Sequence, residues 1–131
     1  MHEMVIRGGQ GKVKSCRLAD EYYFEEGCFI HELSNDPDDP EVSIARARVA
    51  PGRITRWHYL RETSERYTII SGSGLVELGD QPSASVTCGD VVLIPPGVRQ
   101  RIRNVGMDDL VFLVICSPRF LHENYVDCDE I

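Results

Sequence analysis

The sequence predicts an all-β protein built as one domain, an antiparallel sandwich or barrel. Three observations lead there. Short runs rich in Val, Ile, Tyr and Phe recur along the chain, each closed by Gly, Pro, Asp or Asn, and helical periodicity is scarce. The chain has 131 residues, a length that buries about two thirds of its unfolded surface in a single core without a disulfide or structural metal. No repeat of 20 to 50 residues is present, and no composition shift marks a second domain.

Taken in order, residues 1–27, with the GGQGK stretch, read as an N-terminal arm that is flexible unless a neighbour pins it. Nine strands follow: Cys28–Ser34, Val42–Ala50, Ile54–Leu60, Glu65–Ser71, Gly74–Gly79, Ser83–Cys88, Asp90–Pro95, Val98–Val105 and Asp109–Cys116. The turns between them have a mechanism, since glycine permits positive φ and proline presets φ. They are NDPDDP at 35–40, PG at 51–52, SGSG at 71–74, LGDQP at 78–82, CGD at 88–90 and PPG at 95–97. The ninth run, LVFLVIC, is apolar on both faces and needs cover on both sides, which a sandwich inside a dimer supplies. Residues 28–118 therefore form the barrel. Residues 119–131 form a short C-terminal tail, read as a lid or subunit contact anchored by Phe120 and Tyr125.

Composition closes off several function classes. The net charge of −7, with basic residues scattered, repels a polyanion at long range and predicts no nucleic-acid partner. Arg99, Arg101 and Arg103 share one face of a period-2 strand, read as a solvated face or a subunit contact ahead of an anion site. No apolar run approaches the roughly 18 residues of a membrane span, and the start carries no signal-peptide core, so the expected compartment is the cytoplasm with no membrane partner. The five cysteines, widely spaced and without a C-x-x-C pair, read as free thiols, and Cys116 as an inert buried one. No G-x-S-x-G, catalytic Cys-His or phosphate-loop pattern appears.

The chemistry-bearing stretch is GRITRWHYLRETSERYTIISGSG, residues 52–74. Strand parity puts Arg56, His58 and Leu60 on one face and Glu65, Tyr67 and Ile69 on one face of the next strand. A closed hairpin then aims His58 and Glu65 into one cavity, and an imidazole with a carboxylate is the beginning of a divalent-metal site. An inward Glu65 needs a cation or a proton, so Arg56 or a metal is its expected partner. Trp57 faces outward, and His2, His31 and His122 fit no ligand spacing.

These residues resemble the two motifs of the cupin family, G-x5-H-x-H-x3,4-E-x6-G and G-x5-P-x-G-x2-H-x3-N. The first is met by Gly52, His58, Glu65 and Gly72 at full spacing, with Leu60 in place of the second histidine. The second is met by Gly89, Pro95, Gly97 and Asn104, with Gln100 in place of the histidine. The resemblance spans about residues 42–118 and implies a single-domain antiparallel jelly-roll barrel with an N-terminal arm and a C-terminal tail.

It further implies a small-molecule pocket and a homodimer, to which the last strand, Trp57 and the aromatic tail would contribute. The family's four ligand positions become His58, Leu60, Glu65 and Gln100, of which Leu60 cannot ligate and Gln100 offers only an amide oxygen. Two readings follow. In one, His58, Glu65 and Gln100 hold an Fe, Mn, Ni or Zn ion, His58 and Glu65 are catalytic, and Arg56, Leu60, Tyr67 and Gln100 contact the substrate of a metal-dependent isomerase, lyase or dioxygenase. In the other, no metal binds, Arg56, His58 and Glu65 bond to one another, and the barrel is a non-catalytic module for a sugar or organic acid.

Overall fold

A computed structural model describes residues 10–129. Eleven strands form two antiparallel sheets that face each other as a jelly roll. In chain order they are β1 (Tyr22–Phe24), β2 (Cys28–Ser34), β3 (Ser43–Val49), β4 (His58–Leu60), β5 (Ser64–Ser71), β6 (Ser73–Leu78), β7 (Ala84–Thr87), β8 (Val91–Ile94), β9 (Gln100–Asn104), β10 (Leu110–Ser117) and β11 (Tyr125–Asp127). One sheet has the order β1-β2-β3-β10-β5-β8 and the other β11-β4-β9-β6-β7. Among the described residues no helix is long and apolar enough to cross a membrane.

All nine expected strands are present, and two short ones are added from segments read as arm and tail. β1 pairs with β2, Tyr22 opposite Ile30 and Phe24 opposite Cys28. β11 pairs with β4, Tyr125 opposite Leu60. The arm ahead of β1 is pinned by charge: Lys14 Nζ reaches Ser34 Oγ at 2.8 Å, and Glu21 pairs with Arg48 at 2.8 Å. His2 lies outside the described residues.

The expected strand over residues 54–60 is shorter than drawn. Thr55 bonds to Ile102 through its amide, 3.0 Å, and its hydroxyl accepts from the Ile102 amide, 2.9 Å. The Arg56 amide then leaves the ladder for the carbonyl of Glu26, 2.7 Å. Ladder pairing starts at His58, so the parity that placed Arg56 beside His58 does not apply.

The core lies between the sheets, around Val49, Ile69, Val76, Ile102, Leu110 and Phe112. On β3 Ser43, Ala45 and Ala47 turn inward and Arg46 and Arg48 face the other way, while Ile44 also reaches the edge of the space over the inward residues. The register carries these small inward residues between larger ones, with Ala47 beside Phe112 and Ile30, and Ala45 beside Val114 and Glu32. A hollow opens where those side chains stop short. Gly72, between β5 and β6, closes the sheet end: at φ +90° an added Cβ would stand 2.6 Å from the Asp109 carbonyl oxygen, so only glycine fits.

Candidate functional site

The hollow over β3 is a cavity of about 60 Å³. Its wall from β1, β2 and their turn consists of Tyr22, Phe24, Glu26, Cys28, Ile30 and Glu32, every second residue of a run that reverses at Gly27. Gly27 has φ +101°, which lets a three-residue turn aim Glu26 inward. Glu65, Tyr67, Phe112, Cys116 and Phe120 complete the lining of interest.

Glu65 and Tyr67 come from β5 and Gln100 from β9, with His58 opposite Gln100 on β4. All four are nearly solvent-free. The Tyr67 hydroxyl donates to Gln100 Oε1, and Gln100 Nε2 donates to Glu65 Oε1. This chain fixes the amide's orientation and leaves Glu65 Oε2 without a protein partner among the described residues. Burial is the first cause that pushes the Glu65 carboxyl up to about 7, opposed by the His58 charge and reinforced by Glu26. Burial likewise raises Tyr67, Cys28 and Cys116, so the two thiols stay protonated and unreactive, as expected of Cys116.

His58 does not turn to Glu65. Its Nδ1 donates to the Arg56 carbonyl at 2.7 Å, and its Nε2 lies 3.2 Å from Glu26 Oε2. Since the carbonyl can only accept, Nδ1 carries a proton, and Nε2 and Oε2 share another between them. Tyr125 of β11 stacks on the ring, centroids 5.2 Å apart at 21°, and Phe24 meets Tyr125 edge-on at 5.2 Å. The tail thus braces the site: Phe120 lines the cavity and Tyr125 holds the imidazole.

Each expected site residue now has a place. Tyr67 and Glu65 line the cavity; Gln100 and His58 stand directly behind it, and Leu60 is buried in β4. Arg56 is elsewhere: its side chain is partly exposed and pairs with Asp127 at 2.8 Å and Asp129 at 3.9 Å. It is not the partner of Glu65. Trp57 is half-buried beneath Arg99 and Arg101, each guanidinium 4.4 Å from a Trp57 ring centroid. Glu26 was not anticipated as a site residue, although its place in the alternation Tyr22, Phe24, Glu26, Cys28 signals the inward face.

The donors do not fit a resident divalent ion. The Gln100 oxygen is engaged by Tyr67, the free nitrogen of His58 by Glu26, and Leu60 offers no donor atom. Among the described residues no three His, Cys, Asp or Glu side chains converge as coordination requires.

Fold and site together define a cupin. The cupin domain model (Cupin_2) matches residues 45–116, more than half of the chain, and the chain belongs to that family. An uncharacterized protein of Methanocaldococcus jannaschii is 33% identical over 105 residues, 79% of this chain and 83% of that one. Among solved structures the chain is similar to Pac13, a nucleoside dehydratase, at TM-score 0.74 and 16% identity over 92% of this chain and 94% of that one. Variants of Pac13 from Streptomyces were solved with uridine. It is also similar to KdgF from Halomonas sp., at TM-score 0.73 and 16% identity over 85% and 96%. At these identities the two structural likenesses show the fold.

Proposed function

We propose that the barrel mouth is an acid–base site acting on a small organic molecule without a resident metal, as a lyase or isomerase. The observation that carries this reading is that two carboxylates, Glu26 and Glu65, line one cavity with different partners, an imidazole and an amide. Glu26 lies 3.2 Å from the His58 imidazole, whereas Glu65 is buried against a neutral amide and keeps its proton to about pH 7. Such a pair supports the division into base and acid.

In the elimination this arrangement favours, Glu26 takes a proton from a substrate carbon while Glu65 Oε2 gives its proton to the leaving hydroxyl, which departs as water. The electron pair of the broken C–H bond becomes the new double bond. Solvent then removes the proton from Glu26 and restores that of Glu65. His58 positions Glu26, and Gln100 with Tyr67 positions Glu65. That Pac13 is a dehydratase on this fold agrees with the proposal.

Proton abstraction can be followed before the full reaction is known. In deuterated water, NMR of a small-molecule library with wild-type protein is expected to show exchange at one carbon-bound hydrogen, lost in Glu26→Gln and insensitive to EDTA. Exchange that survives Glu26→Gln, or that EDTA abolishes, would overturn the assignment. Binding without exchange or turnover would favour the non-catalytic module.

A further inference from the structure

The cavity wall has a charge signature that the acid–base reading does not use. Three carboxylates line it, Glu26, Glu32 and Glu65, and no Lys, Arg or His is among the lining residues. The rest of the wall is uncharged, with five aromatic rings, Tyr22, Phe24, Tyr67, Phe112 and Phe120, among small, aliphatic and thiol side chains. Glu65 is 7% exposed, lines this space and has one oxygen without a protein partner among the described residues.

Glu26 and Glu65 already have roles, bonded to His58 and Gln100. Glu32 does not. It shares a row of the sheet with Ala45, Val114 and Tyr67, is exposed at the cavity mouth, and accepts a bond from Asn35 at 2.7 Å through one oxygen. Tyr22 lines the same end of the cavity, and its hydroxyl is raised by burial first and by the Glu32 charge next. A carboxylate at the mouth of a cavity with aromatic rings in its wall favours an organic ammonium, whose charge pairs with the carboxylate while its C–H and N–H groups can lie on ring faces. An anion entering the same space would meet like charge with no cation to offset it. The net charge of −7 draws cations toward the molecule at long range.

We infer that this cavity takes a small ligand whose entering end is a primary or methylated ammonium group, held by Glu32 between the aromatic rings of Tyr22 and Phe120. This rests on the proposed site for its location and adds the charge class of what enters. It sets aside the organic acids expected from the sequence.

Three probes of nearly one shape and different charge test it: ethylammonium, ethanol and acetate at matched ionic strength. Titration calorimetry and thermal shift are expected to show saturable stabilisation by ethylammonium, at least tenfold weaker binding of ethanol, and none of acetate. Glu32→Gln should weaken ethylammonium binding about tenfold. Ala45→Leu, which fills the hollow from β3, should abolish it while far-UV dichroism and cooperative unfolding are retained. Acetate or ethanol binding as tightly as ethylammonium, or ethylammonium binding unchanged in folded Ala45→Leu, would overturn the inference. Its failure is separable from that of the acid–base reading, because these titrations need no turnover and the deuterium exchange needs no charged ligand.

Discussion

His58 is paired with Glu26 across the barrel mouth, Nε2 to Oε2 at 3.2 Å, rather than with the Glu65 of its own motif. The pairing ties β4 to the β1–β2 turn, and the Arg56 amide repeats the tie through the Glu26 carbonyl at 2.7 Å. His58 is 2% exposed, so removing the carboxylate leaves its Nε2 with no partner in a dry site. Glu26→Ala is therefore expected to destabilise the fold by about 1–3 kcal/mol, and Glu26→Gln, which keeps an acceptor, by less. Denaturant unfolding of the two variants checks the order. Equal stability of Glu26→Ala and wild type would show that the pair does not hold the turn.

Glu65 makes stability depend on pH in an unusual direction. Its carboxyl is pushed up from 4.5 to about 7, chiefly by burial, so between those values the folded protein keeps a proton that the unfolded chain has lost. The folded state then binds more protons, and stability falls as pH rises. This contribution is fully present below about 4.5, the unfolded value, and is lost as pH climbs through about 7. Glu65→Gln preserves an acceptor for Gln100 and has nothing to titrate. The expected result is that this variant flattens the wild-type loss of stability between pH 5 and about 8, read by chemical unfolding at stepped pH. A wild-type profile with the same slope as the variant would contradict the burial argument.

Of the three features that keep the donor set from fitting a metal, the His58–Glu26 contact, Leu60 and Gln100, the last two are reversible by substitution. Leu60→His with Gln100→His restores imidazoles at both positions, frees the Tyr67 hydroxyl from the amide, and offers a metal three nitrogens with Glu65. After a soak in zinc or nickel and gel filtration, the double variant is expected to retain close to one ion per chain. Wild type should retain less than about a tenth. Stoichiometric metal on the wild type would show that Gln100 and His58 rearrange on binding.

Much of this architecture is legible in the sequence because its signals are local. Period-2 alternation and turn residues place nine strands. What escapes is set by partners distant along the chain. β1 and β11 have three residues each and exist because β2 and β4 offer edges for them. Arg56 leaves the predicted face because its amide bonds to Glu26, thirty residues earlier, and its side chain to Asp127 near the other end. Glu26 sits one turn outside the segment read as barrel, yet it completes the alternation that runs from Tyr22 to Glu32.

Beside Trp57 and the tail, the apolar surface offers a further candidate for a subunit contact. Trp57 lies under two arginines, Phe120 faces the cavity and Tyr125 covers His58, so these rings are occupied within the chain. The large exposed apolar side chains instead include Val91 at 55% and Leu93 at 62% on β8, with Ile70 at 46% on neighbouring β5. β8 ends its sheet, and an edge strand presents unpaired amides and carbonyls to any strand that meets it. We propose that a second copy of this chain covers the patch, since a twofold brings the same edge and the same apolar residues together from both sides. Leu93→Glu puts a charge on that axis in each copy. Sedimentation velocity is expected to give a dimer for wild type and a monomer for Leu93→Glu with unchanged far-UV dichroism. A wild-type monomer at every concentration, or a dimer indifferent to this substitution, would remove β8 from the interface.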